Sequence, residues 1–382
     1  MRRVSIITAA VLAAFAVSAP AQAALVSSTP SSTWQTDGKV NAIAVANGKI
    51  YIGGAFTHVR APGAPSGGAV RNHLAALDLK TGALKPWNPG ANDIVNALAV
   101  SVNGKTVYAG GHFTAVNGKT RLHVAAIATK GGTLRKWKAN ANGRVDAIRV
   151  TRTRVYLGGE FTTVKSHTRH RLAAVRTGST AQLINWSPNA NSAVFAIQLS
   201  ATGKRLYVGG NFTAINGKKK QRHLSAVKTA TGGIAKKFRV HPTFPVFGLA
   251  ATAKVLYVSG SGNGGHVNAY TIASSTRRWG ALTDGDVRAI TLRQGVVYAA
   301  GHFNHYCQGG TGSGNPLVCT TPVGRRKALA LNATGGGLTS WNPDANSVQG
   351  AFAIRGTRTR VLLGGAFTKV HGVDQQGFAL FK

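Results

Sequence analysis

The chain has 382 residues, with 46 Lys plus Arg against 9 Asp plus Glu, a formal charge of +37. A surface so one-sided repels itself and attracts polyanions. The nine acids are scattered, with Glu160 the only glutamate, which argues against chemistry that needs two carboxylates facing one substrate.

The first segment in chain order is Arg2-Arg3, an apolar run from Val4 to Val17, and Ala21-Gln22-Ala23 before Ala24. These are the three parts of a secretory signal, and cleavage after Ala23 is expected. No Cys follows that position, and the sequence shows neither a second apolar span nor a C-terminal sorting tail. The expectation is a signal peptide over 1–23 and one soluble extracellular or wall-associated domain over 24–382, a monomer with no transmembrane segment.

The domain repeats. Trp34, Trp87, Trp137, Trp186, Trp279 and Trp341 recur at one phase, and Phe238 fills the single gap, which predicts seven copies of one unit. Each copy runs through an apolar segment such as Val95-Asn96-Ala97-Leu98, then one closing on a glycine pair, as in Tyr108-Ala109-Gly110-Gly111-His112-Phe113. A third of the type His73-Leu74-Ala75-Ala76-Leu77 follows, and the fourth carries the ring, as in Pro86-Trp87-Asn88-Pro89. Turn chemistry such as Asn47-Gly48, Asn103-Gly104 and Thr202-Gly203 separates them, marking hairpins, and no helical period is found.

Four antiparallel strands in a unit of about 40 to 60 residues make one blade of a β-propeller. The predicted fold class is therefore all-β: a seven-bladed β-propeller. The last unit lacks a ring-bearing strand, and Ser32-Thr33-Trp34-Gln35-Thr36 has that strand's character, so this N-terminal strand is expected to complete the last blade and close the ring. The glycine pair admits a close neighbour, and the Tyr before it and Phe after it are expected to fill the space between blades. The fifth unit has Tyr257-Val258-Ser259-Gly260 and no following Phe, which predicts the least regular blade.

The motifs Tyr-x-Gly-Gly-x-Phe-Thr, Leu-Ala-Ala-Leu-Asp, Thr-Gly-Ala-Leu and Trp-Asn-Pro-x-Ala-Asn, with Asn117-Gly118 and Asn216-Gly217, give the chain its resemblance. It resembles the delta-60-repeat β-propellers, many of them secreted by actinobacteria, over essentially all of the mature sequence. Its similarity to Kelch repeats is weaker and implies the same architecture. The resemblance implies a fold and little about activity, because propellers host catalysis, adhesion and scaffolding alike.

Cys307 and Cys319 lie in one glycine-rich insertion of the sixth unit and read as a local disulfide in an oxidising compartment. His302, His305, Tyr306 and Cys307 crowd together there, but Kelch-type copper oxidases draw their ligands from several blades, so no metal and no other cofactor is expected. Asp146 shares the channel-side slot with Asn41, Asn96, Phe195, Phe247, Arg288 and Phe352, a set expected to line a wet channel. No residue is assigned a catalytic role. The densest basic runs fall between the second and third strands of adjacent units: Lys119 and Arg121, then Lys165, Arg169 and Arg171, then Lys218, Lys219, Lys220 and Arg222. These are the expected polyanion-binding residues, with teichoic acid, acidic polysaccharide or extracellular DNA as partner. The reading is a non-enzymatic binding or scaffold protein, and the rival is a propeller enzyme, such as a hydrolase, lyase or metal-dependent oxidase, working at the channel mouth.

Overall fold

The computed structural model describes residues 25–64, 66–308 and 319–382, and the expected signal peptide lies outside them. Its described elements are all strands, giving an all-β, propeller-like fold. In the first repeat Val40–Ala46 pairs antiparallel with Lys49–Gly54, which pairs in turn with Leu74–Asp78. The two-residue turn between the first two strands holds Asn47 and Gly48 at φ of 50° and 68°, the left-handed geometry that a tight hairpin demands. Three-stranded sheets of the same order begin at Val95, Val145, Val194, Val287 and Ala351.

The ring-bearing segment is not the fourth strand that the sequence predicts. It touches the third strand through single bridges, Leu77 with Leu84, Ile127 with Leu134, Val175 with Leu183, Val227 with Ile234 and Leu331 with Leu338. Pro86, Pro89, Pro188 and Pro343 flank three of the rings and lack the N–H that a longer ladder needs. The fifth repeat also corrects the expectation. It has a full four-strand ladder, Val246–Ala251, Val255–Gly262, Gly264–Thr271 and Arg277–Thr283. Its second and third strands join directly through a glycine hairpin, and Arg277–Thr283 contains no proline. Thr283 further pairs with Tyr306, so the hairpin His305–Gln308 and Thr321–Gly324 of the sixth repeat extends the same sheet. Cys307 and Cys319 are disulfide-bonded beside it, with their Cα atoms 5.0 Å apart.

Adjacent sheets meet face to face over apolar layers. One layer joins Tyr51, Leu74 and Trp87 of the first repeat to Val95, Val107 and Phe113 of the second. The same arrangement recurs along the chain, and another layer joins Leu362, Phe378 and Leu380 of the last repeat to Val40, Ile50 and Phe56 of the first. Tyr51, Tyr108, Tyr156 and Tyr298 stand edge-on to the Trp of their own repeat, as in Tyr51 and Trp87, with centroids 5.0 Å apart and planes at 74°, whereas Tyr257 is tilted by 43° to Trp279. Each indole then reaches the next sheet. Trp87, Trp137 and Trp186 donate to the carbonyls of Ala128, Arg176 and Lys228 at 2.8, 2.8 and 3.0 Å, and Trp279 to that of Ala333 at 3.0 Å. Phe238 packs against Tyr207 but has no such proton to donate.

Trp341 donates instead to the Ser27 carbonyl at 3.1 Å. The N-terminal segment lies beside the last strand: Ser27 N–H donates to Lys382 and Ser31 N–H to Leu380, both at 2.8 Å, and Thr36 N–H to Gln376 at 3.1 Å. Gln375 donates to the Thr33 hydroxyl at 3.1 Å, and Gln376 N–H to the Gln35 side chain at 2.9 Å. Trp34, unlike the other five tryptophans, is only half-buried, packed with Leu79 and Leu84 at the edge of the layer.

The glycine pair sets how closely the sheets approach. A Cβ on Gly110 would stand 2.7 Å from Val145 Cγ1 of the following repeat, and one on Gly111 would run into the Ile94 carbonyl. Gly110→Ala is therefore expected to cost about 1–3 kcal/mol by overpacking. Gly178→Ala, where nothing lies within 4 Å, should change stability by less than about 0.5 kcal/mol. Urea denaturation of the two variants checks the pair, and equal midpoints would show that the slot is not tight.

Candidate functional site: a cavity lined by the bulges

In each first strand the register slips by one residue just after the strand begins, for example between Val40 and Ala42 against Gly54 and Gly53. The same slip occurs at 95/97, 145/147, 194/196, 246/248, 287/289 and 351/353. A bulge leaves its extra residue outside the ladder and re-aims the side chain. Here those residues are Asn41, Asn96, Asp146, Phe195, Phe247, Arg288 and Phe352, and all of them line one cavity of about 190 Å³. The sequence-designated set is thus brought together, with the bulge as the reason. Behind it the wall narrows to branched aliphatics, Ile43, Leu98, Ile148, Ile197, Leu249, Ile290 and Ile354.

The two sides of the cavity differ. On one, Asn41 Nδ2 donates to Asn96 Oδ1 at 3.2 Å, and Asn96 Nδ2 donates to Asp146 Oδ1 at 3.0 Å, so a row of amides ends on a carboxylate. Arg144 Nε donates to Asp146 Oδ2 at 2.9 Å, and its Nη2 to Glu160 at 2.8 Å. Burial pulls the Arg144 pKa down, but the two carboxylates outweigh it and hold the group above its ordinary value. On the other side Phe195 and Phe247 have centroids 5.3 Å apart with planes tilted by 50°. Arg288 lies over Phe247 at 4.5 Å and pairs with Asp286 at 2.6 Å, while Lys39 caps Phe352 at 5.5 Å. The three phenylalanines are only half-buried. Deeper along the same strands Arg149 donates to Gln198 Oε1 at 2.9 and 3.1 Å. Burial first, and the neighbouring charge of Arg355 second, push the Arg149 pKa down to about 10, which leaves it cationic at neutral pH.

The turns between second and third strands share the end of the sheets where the bulges lie, since Val40 pairs with Gly54 and Gly53 with Leu74. The basic residues expected there divide. Lys119, Lys218, Lys219, Lys220 and Arg222 are exposed, and no acid lies within ion-pair reach of them among the described residues. Arg121 and Arg169 instead brace the fold. Arg121 donates to the carbonyls of Thr120 and Arg135, both at 2.8 Å, and Arg169 to those of Thr168 and Ile184 at 2.7 and 3.2 Å. Arg71 and Arg325 make the same fork, and burial lowers the pKa of all four. Lys165 Nζ is held by the Thr180 and Ala181 carbonyls at 3.2 Å. Arg171, partly buried, sits at φ 63° in a slot that His73, His123 and His223 fill elsewhere with φ of 63°, 64° and 59°. The His73 ring lies 3.0 Å from the Gly54 carbonyl, which explains the recurring histidines locally.

The last Asn of the Trp-Asn-Pro-x-Ala-Asn motif also has a structural task. The Asn92 side-chain oxygen accepts the Thr114 and Ala115 N–H groups at 2.9 and 2.8 Å, and Asn142, Asn191 and Asn346 do the same in their repeats. Asp37 and Asp284 substitute for it. The fifth repeat, which has no such turn, has no such residue. Sequence reasoning missed the arginine fork, although its signal was present: an Arg two residues before the left-handed position at 71, 121, 169 and 325. No group of His, Cys, Asp and Glu that could hold a metal ion occurs among the described residues.

No family model and no curated protein matches the chain. Solved structures do. The WD40 β-propeller domain of Doa1 is similar with a TM-score of 0.58 and 11% identity, over 92% of this chain and 96% of that one. The computationally designed Ika8 protein is similar with a TM-score of 0.53 and 14% identity, over 90% and 91%. At such identities the likeness is one of fold alone.

The division of the basic residues is open to mutation. Arg121→Ala and Arg169→Ala each remove a fork to two backbone carbonyls and should lower stability by about 0.5–1.5 kcal/mol. Lys219→Ala, on an exposed turn, should stay within about 0.5 kcal/mol of the parent. Thermal denaturation of the three single variants checks this, and equal melting would remove the distinction between brace and free cation.

Proposed function

We propose that the protein is an exported, non-enzymatic seven-bladed propeller, closed by its N-terminal segment, that binds anionic polymers through the face carrying the second-to-third-strand turns. The observation that carries this reading is the uneven use of charge. Eight of the nine acids are engaged by the chain's own Lys, Arg or His groups. Asp93, the ninth, accepts the Ile94 N–H at 2.6 Å. Nothing acidic is left to neutralise Lys119, Lys218, Lys219, Lys220 and Arg222, which stand exposed on turns of the second and fourth repeats. A polymer with regularly spaced negative groups supplies that missing charge and gains by releasing its counterions. Teichoic acid, acidic polysaccharide and extracellular DNA share this chemistry.

The rival reading, an enzyme at the cavity, has Asp146 and Glu160 to draw on. Arg144 engages both, so they are not presented as a free acid and base, and the surroundings suit holding a ligand better than proton transfer.

Ring closure is supported by the bonds of Ser27, Ser31 and Thr36 to the last repeat and by the apolar layer between the first and last sheets. Removing residues 24 to 39 should leave Trp341 without its carbonyl and expose the last sheet's edge, so that the shortened chain melts lower or self-associates. Sedimentation and melting identical to those of the full mature chain would refute closure.

For binding, each cation that displaces a counterion from duplex DNA steepens the log-log salt slope by about 0.9. Replacing Lys119, Lys218, Lys219, Lys220 and Arg222 with Ser should flatten the slope by several units without altering the melting temperature. Replacing Lys49, Lys105, Arg152 and Arg154, on the opposite turns, should do less. Equal losses would mean a uniform charge cloud, and no binding at low salt would end the proposal.

A further inference from the structure

The cavity lined by the bulges differs in chemistry from the face around it. At its rim Arg144 is engaged by Asp146 and Glu160 and Arg288 by Asp286, while Lys39 caps Phe352 and the deeper Arg149 is held by Gln198, so a third of the chain's nine acids gather at this one place. Elsewhere cations dominate. A pocket meant for phosphate or sulfate would present its arginines unpaired at the mouth, as the turns present their lysines, whereas Arg144 and Arg288 are already held by carboxylates here.

What remains inside is an aromatic wall facing a row of amides. Phe195 and Phe247 are half-buried, whereas the phenylalanines that follow the glycine pairs, Phe56, Phe113, Phe161 and Phe212, are fully buried. Arg288 covers part of Phe247, and the apolar surface that Phe195 and Phe247 still show to water is unfavourable unless something else covers it. Across the cavity the amide row has a fixed direction, because Asp146 can only accept. That leaves Asn41 Oδ1 as an acceptor, second amide protons on Asn41 and Asn96 as donors, and further lone pairs on Asp146. Alternating donors and acceptors opposite an apolar wall match a molecule that carries hydroxyl groups around its edge and C–H groups on its face.

We propose that this cavity binds one uncharged pyranose unit, packed against the exposed parts of Phe195 and Phe247 with its hydroxyls bonded to Asn41, Asn96 and Asp146. A volume of about 190 Å³ suits a single sugar ring rather than a longer stretch of polymer. This binding does not depend on the polyanion reading, since the basic turns contribute nothing to it.

The test is calorimetric titration of the mature protein with cellotetraose, maltotetraose, xylotetraose and chitotetraose, at high salt so that the electrostatics of the turns are screened. At least one should bind, and adenosine and thymidine should not. Phe247→Ala and, separately, the near-isosteric Asn96→Leu should each weaken that binding about tenfold or more. The serine substitutions at Lys218, Lys219 and Lys220 should leave it unchanged. Should Phe247→Ala unfold, Asn96→Leu together with saturation-transfer contacts between the sugar and Phe ring protons of the parent protein decides the matter. Failure of all four oligosaccharides to bind, preference for a nucleoside, or affinity indifferent to Asn96→Leu would each overturn the proposal. A parent protein that binds sugar but not DNA at low salt would count against the polyanion reading alone.

Discussion

Everything in this molecule depends on how closely one sheet can approach the next. The first glycine of each pair leaves a slot into which a Val of the following repeat fits, with Val95 against Gly53, Val145 against Gly110 and Val40 against Gly364. The approach brings each Trp within bonding distance of a carbonyl on its neighbour, so a single side chain is packed by its own sheet and hydrogen-bonded by the next. Because buried carbonyls must find donors, the indole proton accomplishes what a fourth ladder strand does in a longer sheet. Three continuous strands and a bridging segment then suffice.

The same approach creates the site. Sheets packed this tightly bring their first strands side by side, and a bulge at the start of each turns one residue out of the ladder toward a shared space. The scaffold accordingly carries an amide, a carboxylate, a guanidinium or a phenyl ring at those positions. Amides and a carboxylate group on one side and phenylalanines on the other, and that grouping does not follow from the repeat.

Much of this was legible in the sequence because it repeats. The phase of Trp87, Trp137 and Trp186 announced the units, and comparing units gave the channel-side set from Asn41 to Phe352 residue by residue. What could not be read were departures created by contacts between units. Trp34 shares the phase of the other tryptophans but lies at the edge of a layer and stays half-buried. The fifth repeat looked degenerate for want of Gly-Gly and Phe, yet it forms the longest ladder, because a glycine hairpin replaced the motif altogether. Arg121 and Arg169 counted as surface charge by composition, and only the carbonyls of Arg135 and Ile184 reveal them as braces. Charge runs overstate a surface when part of the charge is spent on the backbone.

The seam between first and last repeats is the most exacting element of the proposed ring. Every other seam joins segments close in sequence, while this one holds Ser27 against Lys382 and Trp341. Native-state hydrogen exchange measures it directly. If the ring is closed as proposed, the Trp341 indole proton and the Ser31 amide will exchange as slowly as the Trp137 indole proton, through global unfolding alone. If both exchange fast under native conditions while Trp137 stays protected, the N-terminal segment merely lies against the last sheet and the closed ring is wrong.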